Sequence, residues 1–163
     1  MRILQDTLPV SLEELLARPL FAHLATASET GQPCDSPVWF LWEDGAIWII
    51  AEAKNTFPAR ITHNPRCAIG IVDFDRRTGR VWHVGMRGRA RVERIDIKRV
   101  ERLLARYLGP HKESWDPRLW GDAQSWEGCS FIRFEPETVV ARDQSYRAAP
   151  APSSSTDSGV KSP

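Results

Sequence analysis

Short apolar runs separated by turn-forming residues occupy most of the chain and set its predicted elements. Runs of this length, rich in β-branched and aromatic residues, favour β-strands. An Asp-Gly pair, Asp44 and Gly45, lies between two of them and is a strong hairpin signal. We therefore predict six strands, at residues 21–27, 38–42, 46–51, 67–74, 81–93 and 129–134, with 139–142 extending the last one.

Helices are predicted where the spacing of apolar residues changes to that of one helix face. The first begins at the Ser11–Glu14 capping box, the second covers residues 57–63, and the third begins at Asp96. The apolar positions of the first and third are Leu12, Leu15 and Leu16, and Ile97, Val100, Leu103, Leu104 and Tyr107. Six strands joined by hairpins, without regular strand–helix alternation, predict a mainly β fold, an antiparallel barrel with peripheral helices.

Two of the predicted strands, 38–42 and 46–50, are apolar on both faces, which is unusual for an antiparallel sheet with one side in water. Strand 81–93 alternates instead, with Trp82 and Met86 on the predicted core face and His83 and Arg87 on the other. The outer face of the two apolar strands needs a cover. A second subunit, a flat aromatic ligand or the chain's own helices would each supply one.

Composition narrows the class of protein. The net charge of +1 gives no electrostatic reason to bind nucleic acid or an acidic membrane surface, so we expect neither as a partner. Three scattered cysteines without a CxxC pair, and scattered histidines, predict no disulfide framework and no metal site. No membrane-spanning run or leader is apparent, so we expect a cytoplasmic protein. Residues 1–147 are predicted to form one domain, and the Ala/Pro/Ser-rich residues 148–163 a disordered tail.

The stretch 51–65 is the strongest candidate for binding chemistry. It leaves a predicted buried strand and enters a short helix, a geometry that presents backbone N–H groups to an anion. Lys54 and Arg60 add positive charge, and Asn55 and Thr56 add short polar side chains, which together suit a phosphate monoester. The alternative is that Asn55 or Thr56 caps the helix, while Lys54 and Arg60 are solvated surface charges.

Several motifs occur in an order that resembles one family. They are Phe21-Ala-His-Leu-Ala-Thr-Ala, Pro37-Val-Trp-Phe-Leu-Trp, Ile47-Trp-Ile-Ile-Ala, Ala59-Arg-Ile-Thr-His-Asn-Pro-Arg and Arg87-Gly-Arg-Ala-Arg-Val. Over residues 10–147 the chain resembles the FMN-binding split barrels related to pyridoxamine 5'-phosphate oxidase. The resemblance implies a six-stranded Greek-key split barrel with peripheral helices. It also implies a homodimer, with two FMN molecules bound in grooves between the subunits.

The resemblance carries cofactor roles onto particular positions. Residues beside the flavin ring match Val38, Trp39, Phe40, Ile50 and Ala51, and those of the phosphate-binding turn match Lys54, Asn55, Thr56 and Arg60. A flavin-contacting polar position matches His83, and the C-terminal segment that approaches the flavin of the other subunit ends at Arg147. Phe57 and Pro58 depart from the family pattern, which often has a basic and a small residue there. The sequence therefore leaves open which of Lys54, Thr56 and Arg60 dominates phosphate binding.

We expect an FMN-binding oxidoreductase with an unidentified small-molecule substrate, selected by the groove and by the Trp-rich loop 115–126. The catalytic residues are not predicted. One alternative keeps the fold but binds a deazaflavin, whose longer acidic tail would use cations such as Arg77, Arg80, Arg87 and Arg89. Another is a non-enzymatic flavin or haem carrier, with His83 as the axial ligand of the haem. The resemblance gives no basis for vitamin synthesis, because Arg147 lacks a nearby histidine.

Overall fold

The computed structural model describes residues 1–117 and 126–147, and the predicted tail and most of the Trp-rich loop lie outside them. This part contains, in order, β1 (Arg2–Asp6), α1 (Leu12–Leu16), β2 (Ala22–Ala27), β3 (Pro33–Val38), β4 (Leu41–Glu43), β5 (Ala46–Ala51), α2 (Phe57–His63), β6 (Arg66–Asp75), β7 (Arg80–Arg94), α3 (Ile97–Leu108), a 3₁₀ turn (Lys112–Ser114) and β8 (Ser130–Asp143). The strands form one sheet in the order β3-β2-β6-β7-β8-β5-β4, and β1 pairs in parallel with β8. The predicted mainly β class is confirmed.

The two edge strands of the sheet, β3 and β4, are consecutive elements of the chain. Only Trp39 and Phe40 separate β3 from β4. Side chains from the inner face fill the barrel, and α1 covers one end with Leu15 and Leu16, both fully buried. The largest fully buried side chains of this barrel core are Leu24, Phe40, Ile47, Ile49, Ile61, Ile69, Ile71, Met86 and Phe134.

The local signals read from the sequence act as expected. Asp44 and Gly45 both have positive φ, 54° and 68°, which is the conformation that a two-residue hairpin of type I′ requires. The Ser11 hydroxyl accepts from the Glu14 N–H at 3.2 Å, and the Glu14 carboxylate accepts from the Ser11 N–H at 2.8 Å. Asp96 caps α3, because its side-chain carboxylate accepts from the backbone N–H groups of Lys98 and Arg99.

The strand count is where the prediction falls short, since eight strands are present in the described residues and six were expected. Strand β1 was not predicted, because all five of its residues are exposed and carry no alternation. The predicted strand 38–42 is wrong as one element, since β3 ends at Val38 and β4 begins at Leu41. The last strand, in contrast, is continuous through Pro136, where a register shift in its pairing with β7 accommodates the proline.

Gly88 shows why that register shift is fixed. A Cβ at this position would lie 2.1 Å from the carbonyl oxygen of Glu135, on the neighbouring strand. The close approach of the two backbones therefore excludes any side chain at Gly88.

The outer face of β5 is covered by the chain's own helix α3. Ala46, Trp48 and Phe131 pack there against Val100, Leu103 and Leu104 of the helix. Of the three covers considered for this face, the helix is thus the one present over Ala46 and Trp48. Ile50, at the end of β5, is only partly buried and borders open space.

Helix α3 is tied to the β4–β5 hairpin through Glu43. The Glu43 carboxylate accepts from Arg99 Nε at 2.8 Å and from Arg102 Nε at 2.9 Å, and the Arg99 guanidinium lies 3.7 Å above the Trp48 ring. The hydrogen bond from Arg102, followed by that from Arg99, holds the pKa of Glu43 below its usual range against the opposing effect of partial burial. Protonating Glu43 would therefore weaken the attachment of the helix.

We predict that Glu43→Gln removes an acid-sensitive part of the stability. A carboxylate with a lowered folded-state pKa stabilises the fold above its unfolded pKa, about 4.3, and loses that contribution as pH falls through the folded value. The variant should be less stable by about 1 kcal/mol at pH 7, and this difference should shrink as the pH falls below about 4. Urea unfolding of the wild-type protein and the variant, at pH 7 and at a pH below about 4, measures the difference in stability. Glu29→Gln, at an exposed turn position, is the control, and a difference that is constant with pH would contradict the assignment.

Candidate functional site

A groove of about 1170 Å³ lies on the surface where β3, β5, the turn after β5 and α3 meet. Its apolar walls include Val38 and Ile50 from the strands, Leu103 and Leu104 from the helix, and the indole of Trp126. It is also bordered by the turn residues Glu52, Ala53, Lys54, Asn55 and Thr56. The groove therefore joins an apolar slot to a short polar turn.

Trp39, at the break between β3 and β4, is a wall of the groove held from behind by Tyr107. The two rings are stacked, with centroids 4.5 Å apart and planes within 3°. The Tyr107 hydroxyl accepts from the Phe40 N–H at 3.0 Å and donates to the Leu20 carbonyl at 2.7 Å. Burial raises the pKa of Tyr107, which keeps this donor protonated. One α3 side chain thus fixes both the strand break and the indole beside it.

The turn after β5 is shaped by Asn55. Its side-chain oxygen accepts from the Glu52 N–H at 2.7 Å, and its own N–H donates to the Glu52 carbonyl at 2.9 Å. Lys54 extends from this turn with its side chain 80% exposed and its ammonium 2.8 Å from the Glu52 carboxylate. The hydrogen bond to Glu52 raises the pKa of Lys54. The charge of Lys54 is therefore already engaged by a neighbouring carboxylate.

Arg60, one turn into α2, is held differently. Its Nε donates to the buried Thr26 hydroxyl at 2.8 Å, and its Nη1 donates to the Thr56 hydroxyl at 2.7 Å. Within residues 1–117 and 126–147, no carboxylate lies at ion-pair distance from this guanidinium. Two neutral hydroxyls thus fix the position of Arg60 and leave its charge uncompensated.

The structure brings together six of the eleven residues matched to cofactor roles. Those lining the groove are Val38, Trp39, Ile50, Lys54, Asn55 and Thr56. Phe40 and Ala51 point into the barrel core, where their exposure is 0% and 1%. Arg60 is not itself a lining residue but is hydrogen-bonded to Thr56, which lines the groove.

His83 and Arg147 do not border the groove of the single chain. His83 is on the outer face of β7, paired with Val72 of β6 and Arg142 of β8. Arg147 is exposed at the end of the C-terminal segment, where the Tyr146 N–H donates to the Gly79 carbonyl beside the β6–β7 hairpin.

The residues that sequence reasoning missed come mainly from distant parts of the chain. Phe21, immediately before β2, and Asp35 of β3 border the groove, and Leu103 and Leu104 border it from α3. The spacing of the two leucines predicted their burial in a helix face, but nothing in that pattern indicates that the buried face also ends at a groove. The described residues contain no cluster of His, Cys, Asp or Glu that could hold a metal ion. No helix in them is long and apolar enough to cross a membrane.

The fold and the groove define a split-barrel protein, and the sequence identifies its family. The sequence profile of the pyridoxamine 5'-phosphate oxidase family matches residues 8–141, so the chain belongs to that family. No curated protein matches the chain in sequence.

Solved structures share the fold. The conserved hypothetical protein Rv2991 from Mycobacterium tuberculosis is 21% identical with a TM-score of 0.66, over 88% of this chain and 89% of its own. An "F420 Reductase" is 27% identical with a TM-score of 0.58, over 81% of this chain and 98% of its own. A FAD-binding protein from Mesorhizobium loti is 21% identical with a TM-score of 0.59, over 83% and 96% of the two chains.

We predict that Tyr107→Phe destabilises the protein by about 1–3 kcal/mol, because the Phe40 N–H and the Leu20 carbonyl lose a buried partner. Chemical denaturation of the two proteins measures the difference. The matched control is Tyr146→Phe, which removes the hydroxyl of a half-exposed tyrosine and should change stability by less than about 0.5 kcal/mol. Equal effects of the two substitutions would contradict the role given to Tyr107.

Proposed function

We propose that the protein is a flavin-dependent oxidoreductase that binds FMN in this groove and acts on a small organic substrate. The observation that carries the proposal is the junction of an apolar slot, between Trp39 and Ile50, with a polar turn backed by the uncompensated charge of Arg60. An amphiphilic cofactor with a flat ring at one end and a phosphate at the other fits such a junction. Bound there, the flavin would supply the electron-transfer chemistry.

The chain's own residues would bind and orient that cofactor. Val38 and Trp39 offer an apolar surface to the ring, and Ile50 borders the same slot from β5. Because the ring of Tyr107 already stacks on Trp39 from behind, little conformational freedom remains to be lost on binding. The apolar walls would also exclude water from the reacting part of the ring.

Arg60 is the residue we assign to the main phosphate contact. Lys54 would have to exchange its bond with Glu52 for the phosphate, whereas Arg60 has no carboxylate to give up in the described residues. The hydroxyls of Thr26 and Thr56 orient the guanidinium, and Thr56 also lines the groove. A guanidinium held in place binds a phosphate with little entropic cost.

The test is the affinity of the protein for FMN compared with riboflavin, which lacks the phosphate. We expect Arg60→Ala to weaken FMN binding by about 10- to 100-fold, as for lost hydrogen bonds to a charged group, with little effect on riboflavin. Lys54→Ala should weaken FMN binding by less than about threefold because Glu52 already engages that charge. Arg76→Ala, at an exposed hairpin position, is the control. If Arg60→Ala weakens both ligands equally, Arg60 is not the phosphate contact.

A deazaflavin is the second candidate cofactor, and two observations favour it. The similarity to the "F420 Reductase" covers nearly the whole of that protein. Arg87 and Arg89 are exposed on β7, and among the described residues neither has a carboxylate partner that could neutralise it. The absorbance spectrum of the purified protein separates the two, since FMN gives a double band and a deazaflavin gives a single one. Haem is less well supported, because no His or Tyr occurs among the groove-lining residues of the described chain.

We also propose that the protein acts as a homodimer through the outer face of β2, β6 and β7. Ala25 pairs with Ala68, and Gly70 pairs with Gly85, which gives this face a flat centre of small residues. Val72 and Phe74 flank that centre and are 49% and 58% exposed, which is unusual for large apolar side chains on a strand. A second copy of the chain would bury them, as the family resemblance implies.

We expect Val72→Asp to shift the protein from dimer to monomer in analytical ultracentrifugation, because a carboxylate would be buried in the proposed interface. Val92→Asp is the matched control. Val92 is also exposed, at 40%, but it lies on the face of β7 opposite to His83, away from the proposed interface. A wild-type protein that sediments as a monomer at micromolar concentration would exclude this dimer.

A further inference from the structure

Three arginines lie together on the outer face of the sheet, apart from the groove. Arg66 of β6 and Arg89 of β7 are direct cross-strand partners, and Arg87 is two positions before Arg89 on the same strand. All three are exposed and alternate with buried residues, which places their side chains on the outer face. The described lining of the groove includes none of them. We call Arg66, Arg87 and Arg89 the arginine cluster.

The arginine cluster has no counter-ion. In the part of the chain that the structure describes, no side chain forms an ion pair or a hydrogen bond with any of its three guanidinium groups. Glu135 of β8 pairs with Arg89 in the ladder, but its carboxylate is engaged by Arg91 at 3.6 Å and by Arg133 at 2.9 Å. Three positive charges therefore remain uncompensated on one small area of the sheet.

The pairing of Arg66 with Arg89 is unfavourable for the fold. Directly opposed residues on one face of an antiparallel pair have Cβ atoms about 4.5–5.5 Å apart, and like charges at this distance are destabilising. An anion that binds between the two guanidinium groups replaces their repulsion with two attractions and adds charge-assisted hydrogen bonds. The protein would therefore be more stable with the anion bound.

The spacing of the cluster favours an anion with more than one charged group. A guanidinium fork matches the oxygens of a phosphate, so Arg66 and Arg89 can share one phosphate group between them. Arg87 is roughly 7 Å further along the strand, since each residue of a strand advances the chain by about 3.3 Å. A second phosphate linked to the first reaches toward Arg87, whereas a single phosphate leaves one cation unpaired.

The cluster is also compatible with the proposed homodimer. Along β6 it lies on one side of the small-residue centre around Gly70, and Val72 and Phe74 lie on the other side. A two-fold axis through that centre would place the clusters of the two chains on opposite sides of the axis. Each chain would then carry its own separate cluster.

We propose that the arginine cluster binds a compound with two or more linked phosphate groups, at a site separate from the groove. This inference goes beyond the proposed function, because it does not depend on which cofactor the groove holds. The acidic tail of a deazaflavin is a second source of negative charge, and the experiments below distinguish the two sources.

The first experiment titrates pyrophosphate and orthophosphate into the protein by calorimetry, at low salt and without divalent cations. We expect pyrophosphate to bind at least tenfold more tightly than orthophosphate, and its affinity to fall as salt is added. Saturating the protein with FMN should leave the pyrophosphate affinity within about twofold. No binding at millimolar pyrophosphate, or loss of binding in the presence of FMN, would overturn the proposal.

Variants then locate the bound pyrophosphate. Arg66→Gln and Arg89→Gln should each weaken pyrophosphate binding at least tenfold and leave FMN affinity within about twofold. Arg94→Gln is the matched control, since Arg94 is also exposed on β7 but lies on the opposite face of the strand. Arg60→Ala should have little effect on pyrophosphate. Binding that is lost in Arg60→Ala but retained in Arg66→Gln would assign the pyrophosphate to the groove and contradict the site.

Thermal unfolding separates a lost site from a damaged fold. Without ligand, Arg66→Gln should unfold at the same temperature as the wild-type protein or at a higher one, because the repulsion from Arg89 is removed. Pyrophosphate should raise the unfolding temperature of the wild-type protein and leave that of Arg66→Gln almost unchanged. Equal stabilisation of the two proteins by pyrophosphate would refute the site.

A competition experiment tests the deazaflavin tail. The pyrophosphate-saturated protein is titrated with a deazaflavin that carries its acidic tail, and with the same chromophore without the tail. We expect neither compound to displace pyrophosphate. Displacement by the tailed compound alone would show that the cluster binds the cofactor's own tail, and would overturn the claim of a separate site.

Discussion

The hydroxyl of Tyr107 is the contact on which both the break between β3 and β4 and the wall of the groove depend. Where β3 gives way to β4, the backbone of Phe40 leaves the sheet while its side chain stays in the core, so its N–H needs a partner away from water. Tyr107 supplies that partner and also binds the Leu20 carbonyl, ahead of β2. Because the same ring stacks on Trp39, the position of α3 fixes the shape of the groove.

Arg60 differs from the arginines that pair with the carboxylates of Asp73 and Glu43. Asp73, buried inside the barrel, is neutralised by Arg18 and Arg80. Glu43 likewise binds Arg99 and Arg102 of α3. These pairs serve the fold, since a buried or half-buried charge without a partner is costly. Arg60 is partly buried yet is held by hydroxyls, an arrangement that fixes the cation without neutralising it. Such a cation gains more from a bound phosphate than one that must first leave a carboxylate.

Local sequence signals predicted the elements that depend on local physics. The bounds of α2 follow from the turn before it and the buried spacing of Phe57 and Ile61, and the β4–β5 hairpin follows from Asp44 and Gly45. The break at Trp39 and Phe40 could not be predicted, because its cause is a hydroxyl 67 residues away. The same limit applies to the choice between Lys54 and Arg60. That choice depends on Thr26, 34 residues before Arg60, whose inward-facing hydroxyl looks like any other strand position in the sequence.

The two matched residues that lie outside the groove, His83 and Arg147, bear on the proposed assembly. His83 is on the outer face of the sheet, directly paired with the exposed Val72, and so belongs to the face that we assign to the second copy. In a two-fold dimer each chain presents the same surface to its partner. His83, on that surface, could therefore contact a cofactor only in a groove formed by both chains. A protein that bound its cofactor as a monomer would leave His83 without a ligand role. The location of His83 therefore makes its role in binding conditional on the dimer, whereas the role of Arg60 can be assessed in a single chain.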